Sequence, residues 1–128
     1  MDITEVKYFT QSEAKKTLPL VKRIVKDILE YSFQLKTISD SMGGDISGNL
    51  EAEKLLSELN SFMKELEVIG CYYKDWSFSV GLIDFPAVID GEEVFLCWRS
   101  DEEDILHYHG VNEGYAGRKL IPDAYFLV

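Results

Sequence analysis

Two histidines, two cysteines and a set of carboxylates carry the reactive chemistry available to this 128-residue chain. Four of these residues, Asp84, Cys97, His107 and His109, converge once the chain is paired with itself. The dipeptide Asp90-Gly91 suits a two-residue hairpin turn, and it is flanked by the runs 81–89 and 92–99, rich in β-branched and aromatic residues. With that turn Ile89 faces Glu92, and counting back sets Phe85 opposite Leu96 and Asp84 opposite Cys97. A third strand over Ile105 to His109, returning after an acidic loop from Ser100 to Asp104, places His107 opposite Cys97 and His109 two residues on along the same face. Zinc and iron accept mixed nitrogen, sulfur and oxygen ligands, so Asp84, Cys97, His107 and His109 are candidate metal ligands. A second chemistry has an imidazolium lower the Cys97 pKa while Asp84 orients the ring, giving a nucleophilic thiol. A third reading has no chemistry: Cys97 is a small buried apolar residue and the histidines sit at the solvent edge. A bulge at Pro86 would scatter the row.

The elements that position these residues follow from periodicity. Phe9-Thr10-Gln11-Ser12-Glu13 reads as a capping box, with Thr10 bonding the Glu13 N–H, the Glu13 carboxylate reaching back, and Phe9 and Ala14 as the apolar staple. Val21, Ile24, Ile28, Tyr31, Leu35, Ile38 and Met42 then recur at spacings of three and four, predicting a helix from Gln11 to Ser41 with a kink or restart at Pro19. The glycine-rich connector 43–48 precedes a second stripe, Ala52, Leu55, Leu59, Phe62, Leu66 and Ile69, that stops at Gly70. Two such helices joined by a short loop run antiparallel. After Gly70 the period drops to two: residues 71–74 read as a first strand, and Pro86 favours an edge position for the strand holding Asp84. Ile83, Phe85, Ala87, Val94, Leu96, Trp98, Leu106 and Tyr108 gather on the face opposite the candidate ligands, an apolar surface for the helix pair to cover.

The segment from Gly110 to Lys119 reads as a loop whose Arg118 could grip an anion or, more simply, pair with the acidic surface. It matches no phosphate-binding or dinucleotide-binding motif. The acidic run 101–104 reads as solvated, with Glu102 or Asp104 able to add an oxygen ligand if the loop folds inward. Thirteen Lys plus Arg against 23 Asp plus Glu give a net charge of −10, a field that repels phosphate backbones and anionic lipids. Nucleic-acid and membrane partners are therefore excluded as expectations. No apolar run is long enough to span a bilayer and the N-terminus lacks the features of a secretory signal, so the expected compartment is the cytoplasm. Two cysteines without a Cys-x-x-Cys pair are expected to be reduced thiols.

The combination of Tyr8-Phe9-Thr10, the Asp84-Phe85-Pro86-Ala87 strand, Leu96-Cys97-Trp98-Arg99 and Gly114-Tyr115-Ala116-Gly117-Arg118 resembles the DUF2203 family of uncharacterised prokaryotic proteins across nearly the whole chain. The resemblance implies a small cytoplasmic protein without an established activity. The chain also resembles the family in having Glu102 after Cys97-Trp98 and His109 after an aromatic residue. Where this chain has His107-Tyr108-His109 the family pattern reads Tyr-Trp-His, so the resemblance carries to His109 and not to His107. The resulting ligand-binding set is Asp84, Cys97, Glu102 and Arg118 with His109, and His107 is an additional metal candidate on its cross-strand position. Some relatives are labelled as cell-division-like coiled-coil proteins.

The expected architecture is α+β, one domain: a long antiparallel helical hairpin over about 10–70 packed on an antiparallel sheet of three or four strands, with a C-terminal loop, over about 71–128. A helix of this length reaches about 46 Å, more than a small sheet covers, so a homodimer through the helices is expected. Two functions follow. In one the polar sheet face binds a metal, zinc or iron, or another ligand, with an enzymatic role left open. In the other the hairpin is a structural or regulatory module that contacts a partner protein.

Overall fold

The computed structural model describes residues 6–75 and 80–122; residues 1–5, read above for targeting, lie outside them. Helix α1 runs over Gln11–Ser41, the bounds its periodicity predicts, and its capping box is formed: the Glu13 N–H donates to Thr10 Oγ1 and the Thr10 N–H to Glu13 Oε1, each at 3.1 Å. The helix continues through Pro19 without restarting. Pro19 lies on the exposed face, where water can satisfy the Lys15 carbonyl that loses its partner. Helix α2, Leu50–Ile69, begins at an Asn49 cap that accepts the Ala52 N–H at 2.9 Å and ends at Gly70 with φ 106°, where only glycine is unstrained.

The two helices cover one face of a five-stranded antiparallel sheet whose spatial order follows the chain: β1 (Tyr72–Tyr73), β2 (Leu82–Ile89), β3 (Glu92–Arg99), β4 (His107–Gly110) and β5 (Lys119–Leu120). Five strands rather than three or four arise because β5 is only two residues long, too short to show alternation in sequence. Positive φ at Asp90 (52°) and Gly91 (78°) makes the β2–β3 turn a type I′ reversal, and the register runs unbroken from Leu82↔Arg99 to Ile89↔Glu92. No bulge occurs at Pro86. Strand β2 lies inside the sheet, yet Pro86 is past the end of the short β1, on a stretch with edge character. Its carbonyl points away from β3 and accepts the Phe9 N–H at 2.7 Å, so the side lacking an N–H is the side without a ladder partner.

Ile83, Phe85, Ala87, Val94, Leu96 and Trp98 meet Leu18, Val21, Val25, Ile28 and Leu66 in one core, with Phe9 edge-on to Phe85 at 5.2 Å. Tyr108 packs against this core, as the alternation predicts. Leu106 does not: it precedes β4 and is 42% exposed. The third strand starts at His107 rather than Ile105 because side chains satisfy the backbone just before it. Asp104 Oδ1 accepts the Ile105 N–H at 2.7 Å, and the buried Gln11 donates Nε2 to the Ile105 carbonyl at 2.7 Å. Gly81 sits where α1 crosses the sheet, and a Cβ there would overlap Val25 Cγ1 and stand 3.2 Å from Ser100 Cβ. Both neighbours are short side chains with no flexible end to move, so Gly81→Ala is expected to destabilise the fold by about 1–3 kcal/mol, read as a lowered denaturant midpoint at unchanged slope.

Candidate metal centre

On the sheet face away from the helices, Asp84 of β2 and Cys97 of β3 are direct cross-strand partners, and Cys97 is in turn paired with His107 of β4. The predicted row therefore exists in the backbone, but its side chains divide. His109, paired with Phe95 one row along, turns its imidazole diagonally across β3 so that Nε2 lies 3.0 and 3.1 Å from the two Asp84 carboxylate oxygens. The Phe95 ring flanks it at 5.6 Å. The Cys97 sulfur faces Asp84, with a carboxylate oxygen within 4.8 Å. Asp84, Cys97 and His109 are all buried, and each offers one ligand atom such that these atoms lie within 4.8 Å of one another.

His107 faces elsewhere. Its Nδ1 accepts from Arg118 Nη2 at 2.9 Å and lies 3.3 Å from Glu102 Oε2. Arg118 Nη2 donates to Glu102 Oε1 and Oε2 at 2.6 and 2.7 Å and to the Cys97 carbonyl at 3.3 Å, so the guanidinium is engaged inside the protein. Glu102 folds inward from the acidic loop toward Arg118, not toward the Asp84 cluster. The end of that loop is tied to α1, by Lys22 Nζ on the Glu103 carbonyl at 2.7 Å and by Lys15 with Asp104 at 2.9 Å. Two polar groups thus occupy this face: Asp84, Cys97 and His109 in one, and Glu102, His107 and Arg118 beside it.

The surroundings of His109 match those of a metal-binding imidazole. Its Nδ1 is 2.9 Å from the Gly110 carbonyl, which can only accept, so Nδ1 donates there and Nε2 is the ring atom presented to Asp84. A ring nitrogen anchored on a backbone carbonyl is the usual outer support of a histidine ligand. Between Nε2 and the carboxylate two acceptors face each other, an arrangement that needs a proton or a cation between them. Ligands about 2.0–2.3 Å from a tetrahedral zinc stand roughly 3.3–3.7 Å apart, so an ion there would need Asp84 and His109 to part slightly and the three ligand atoms, within 4.8 Å of one another, to converge on it. Carboxylate, thiol and imidazole together are a donor set that zinc or iron accepts.

Burial sets the protonation of the cluster. It raises the Asp84 carboxyl above its usual range, against the opposing pull of His109. It pushes the Cys97 thiol up to about 12, the Asp84 charge adding to the effect and Arg118 working against it. A thiol so held is protonated at neutral pH and is a poor nucleophile without a cation to displace its proton. Cys71, in the core, is also pushed up to about 12 by burial. The unfolded chain would ionise both thiols near their ordinary value of about 9 while the folded chain would not, so their contribution to stability is complete below that pH and is lost as pH rises toward 12. Unfolding by denaturant between pH 9 and 11 is expected to show stability falling by up to about 1.4 kcal/mol per pH unit for each thiol, with a shallower slope in Cys71→Ala.

A cavity of about 300 Å³ opens over the cluster, bounded by Asp84, Cys97 and His109 on its floor and by Lys74, Phe95 and Tyr115 among its walls. Sequence reasoning missed Lys74, Glu113 and Tyr115 as parts of the site. They lie in segments without periodicity, and only the glycines around Tyr115 hinted at close packing there. Residues 7–121 match the family model described as an uncharacterized conserved protein, DUF2203. No curated protein and no solved structure matches the chain.

Proposed function

The chain belongs to the DUF2203 family, whose description names no activity, and from the site itself we propose that it is a small metalloprotein in which Asp84, Cys97 and His109 hold one transition metal ion, zinc or iron. The observation that carries this reading is the convergence of three buried donors of different type from three strands, with His109 Nδ1 anchored on the Gly110 carbonyl so that Nε2, once it gives up its contact with Asp84, can ligate. Three protein ligands would leave a fourth position open, and one cavity adjoins all three residues. Glu102, His107 and Arg118 act as a neighbouring support, since Arg118 grips the carbonyl of the ligand Cys97. Elemental analysis of protein purified without an affinity tag is expected to find close to one metal per chain. Metal-free protein that takes up neither zinc nor ferrous ion would overturn the proposal.

A second reading, an interaction module working through the helices, is favoured by one observation. Leu20 and Val68 stand exposed, Val68 at 81%, beside a groove of about 490 Å³ between α1 and α2 that also contains Ile24 and Ile69. Tyr31, Leu35 and Ile38 further along α1 are only half-buried. A second copy of the chain is the occupant proposed, giving a homodimer through the hairpins. Sedimentation equilibrium is expected to show a dimer at micromolar concentration and Val68→Glu a monomer; a monomeric wild type removes the dimer. Among the described residues no helix is long and apolar enough to cross a membrane. The unpaired thiols Cys71 and Cys97 favour a reducing compartment, which we take to be the cytoplasm.

A further inference from the structure

The cavity above the cluster carries a chemistry of its own. Its floor is the ligand set, and its walls combine the apolar side chains of Leu82, Phe95 and Val111 with a single cation, Lys74. The Lys74 ammonium rests over the rings of Phe95 and Tyr72, at 5.5 and 5.7 Å from their centroids, and forms no ion pair among the described residues. Tyr115 contributes a hydroxyl whose oxygen already accepts from Arg99 Nη1 at 2.6 Å, which leaves its hydrogen to donate. The other acid at the rim, Glu113, has one oxygen engaged, Oε1 accepting the Gly110 N–H at 2.9 Å. Lys74 and Tyr115 thus offer donors, set in an apolar wall over a floor where a bound divalent ion would offset the charges of Asp84 and the Cys97 thiolate and leave a coordination position for an anion. About 300 Å³ is at the small end of ligand sites.

We infer that the cavity binds a small organic carboxylate with a flat apolar body, its carboxylate bridging the metal's open position and Lys74 and its body lying against Phe95. The inference rests on the metal reading above and deepens it by naming the ligand class. Without a metal the cavity has Asp84 and Glu113 against one lysine, an acidic balance that rejects anions. Carboxylate binding is therefore metal-dependent.

Cobalt(II) is the probe for the metal, because thiolate ligation gives a charge-transfer band and visible d–d bands that report changes in the coordination sphere. Benzoate is the probe for the carboxylate, with benzamide as its uncharged counterpart and inorganic phosphate as an anion lacking the apolar body. Benzoate is expected to shift the d–d bands saturably, benzamide and phosphate to do so at least about ten-fold more weakly, and Lys74→Met to weaken benzoate about ten-fold when both proteins are saturated with cobalt. Failure of cobalt to bind overturns the metal reading and this inference with it. Cobalt binding with unmoved bands, or equal response to benzamide, or unchanged benzoate affinity in Lys74→Met, overturns this inference alone and leaves the metal centre standing.

Discussion

Zinc titrated into metal-free protein is expected to bind more tightly by at least one order of magnitude for each unit of pH between 6 and 8, and more than about 100-fold more weakly in either Cys97→Ala or His109→Gln. The pH dependence follows from the thiol. Cys97 is pushed up to about 12 by burial and by the Asp84 charge, so it enters the binding reaction protonated and leaves it as thiolate. One proton released per ion gives a ten-fold gain per pH unit throughout the range below that value. Asp84 raises the slope further wherever its own elevated pKa keeps it protonated in the metal-free state. The variants are chosen for the packing. Cys97→Ala removes one sulfur from a site where alanine fits, and His109→Gln keeps a side chain able to donate to Asp84, so both should fold. Competition with a chromophoric chelator measures the affinity. Flat affinity from pH 6 to 8, or wild-type affinity in both variants, would show that the ion sits elsewhere.

How far this centre was legible before any coordinates depends on which bond each residue makes. The turn at Asp90-Gly91 admits one register, and from it the pairing of Asp84 with Cys97 is arithmetic, while that of Cys97 with His107 follows only if the acidic loop 100–104 joins Arg99 to Ile105. Both bounds of α1 follow as directly, since Thr10 and Glu13 close its start and the stripe runs out at Met42 before three glycines. What pairing arithmetic does not contain is the direction of an imidazole. His107 and His109 stand on the same face two residues apart, and the choice between them is made by Arg118 and Glu102, eleven residues after and five before His107, which draw its ring away. The family pattern pointed to His109 for a reason invisible in spacing.

The burial of the site was equally hidden. Alternation places Asp84, Cys97 and His109 on the face without helices, and that face would ordinarily be wet. Here the strand residues Phe95 and Leu82 and the turn after β4, with Val111 and Tyr115, close over it. Glu113 makes that turn possible by accepting the Gly110 N–H, a short-range side-chain bond that leaves no periodic trace. Likewise Ile105 leaves the β4 ladder because Asp104 and Gln11 take its backbone groups, one from the neighbouring position and one from a helix 94 residues away.

The same logic makes Arg118→Met the substitution expected to cost the most stability, about 2–4 kcal/mol. The Arg118 side chain is only 10% exposed and Glu102 20%, and their contact is doubled, with one guanidinium nitrogen on both carboxylate oxygens. Glu102 also accepts the Arg99 N–H at 2.8 Å, and its backbone carbonyl accepts from Trp98 Nε1 at 2.9 Å, so the carboxylate cannot swing into water without loosening the turn after β3. Methionine at 118 keeps the volume and the stacking on Tyr115 but leaves a mostly buried anion without its cation. Glu102→Gln in the Arg118→Met background removes that anion and is expected to recover about half of the loss. A double-mutant cycle by denaturant unfolding would then give a coupling of at least about 1.5 kcal/mol, well above the 0–1 kcal/mol of exposed pairs. Because Arg118 also holds the Cys97 carbonyl, zinc affinity in Arg118→Met should fall by roughly 10-fold, the size of an outer-support effect and smaller than loss of a ligand. A single variant within 0.5 kcal/mol of wild type would reduce this pair to an ordinary surface contact, and an unchanged zinc affinity would separate the two polar groups that β3 joins.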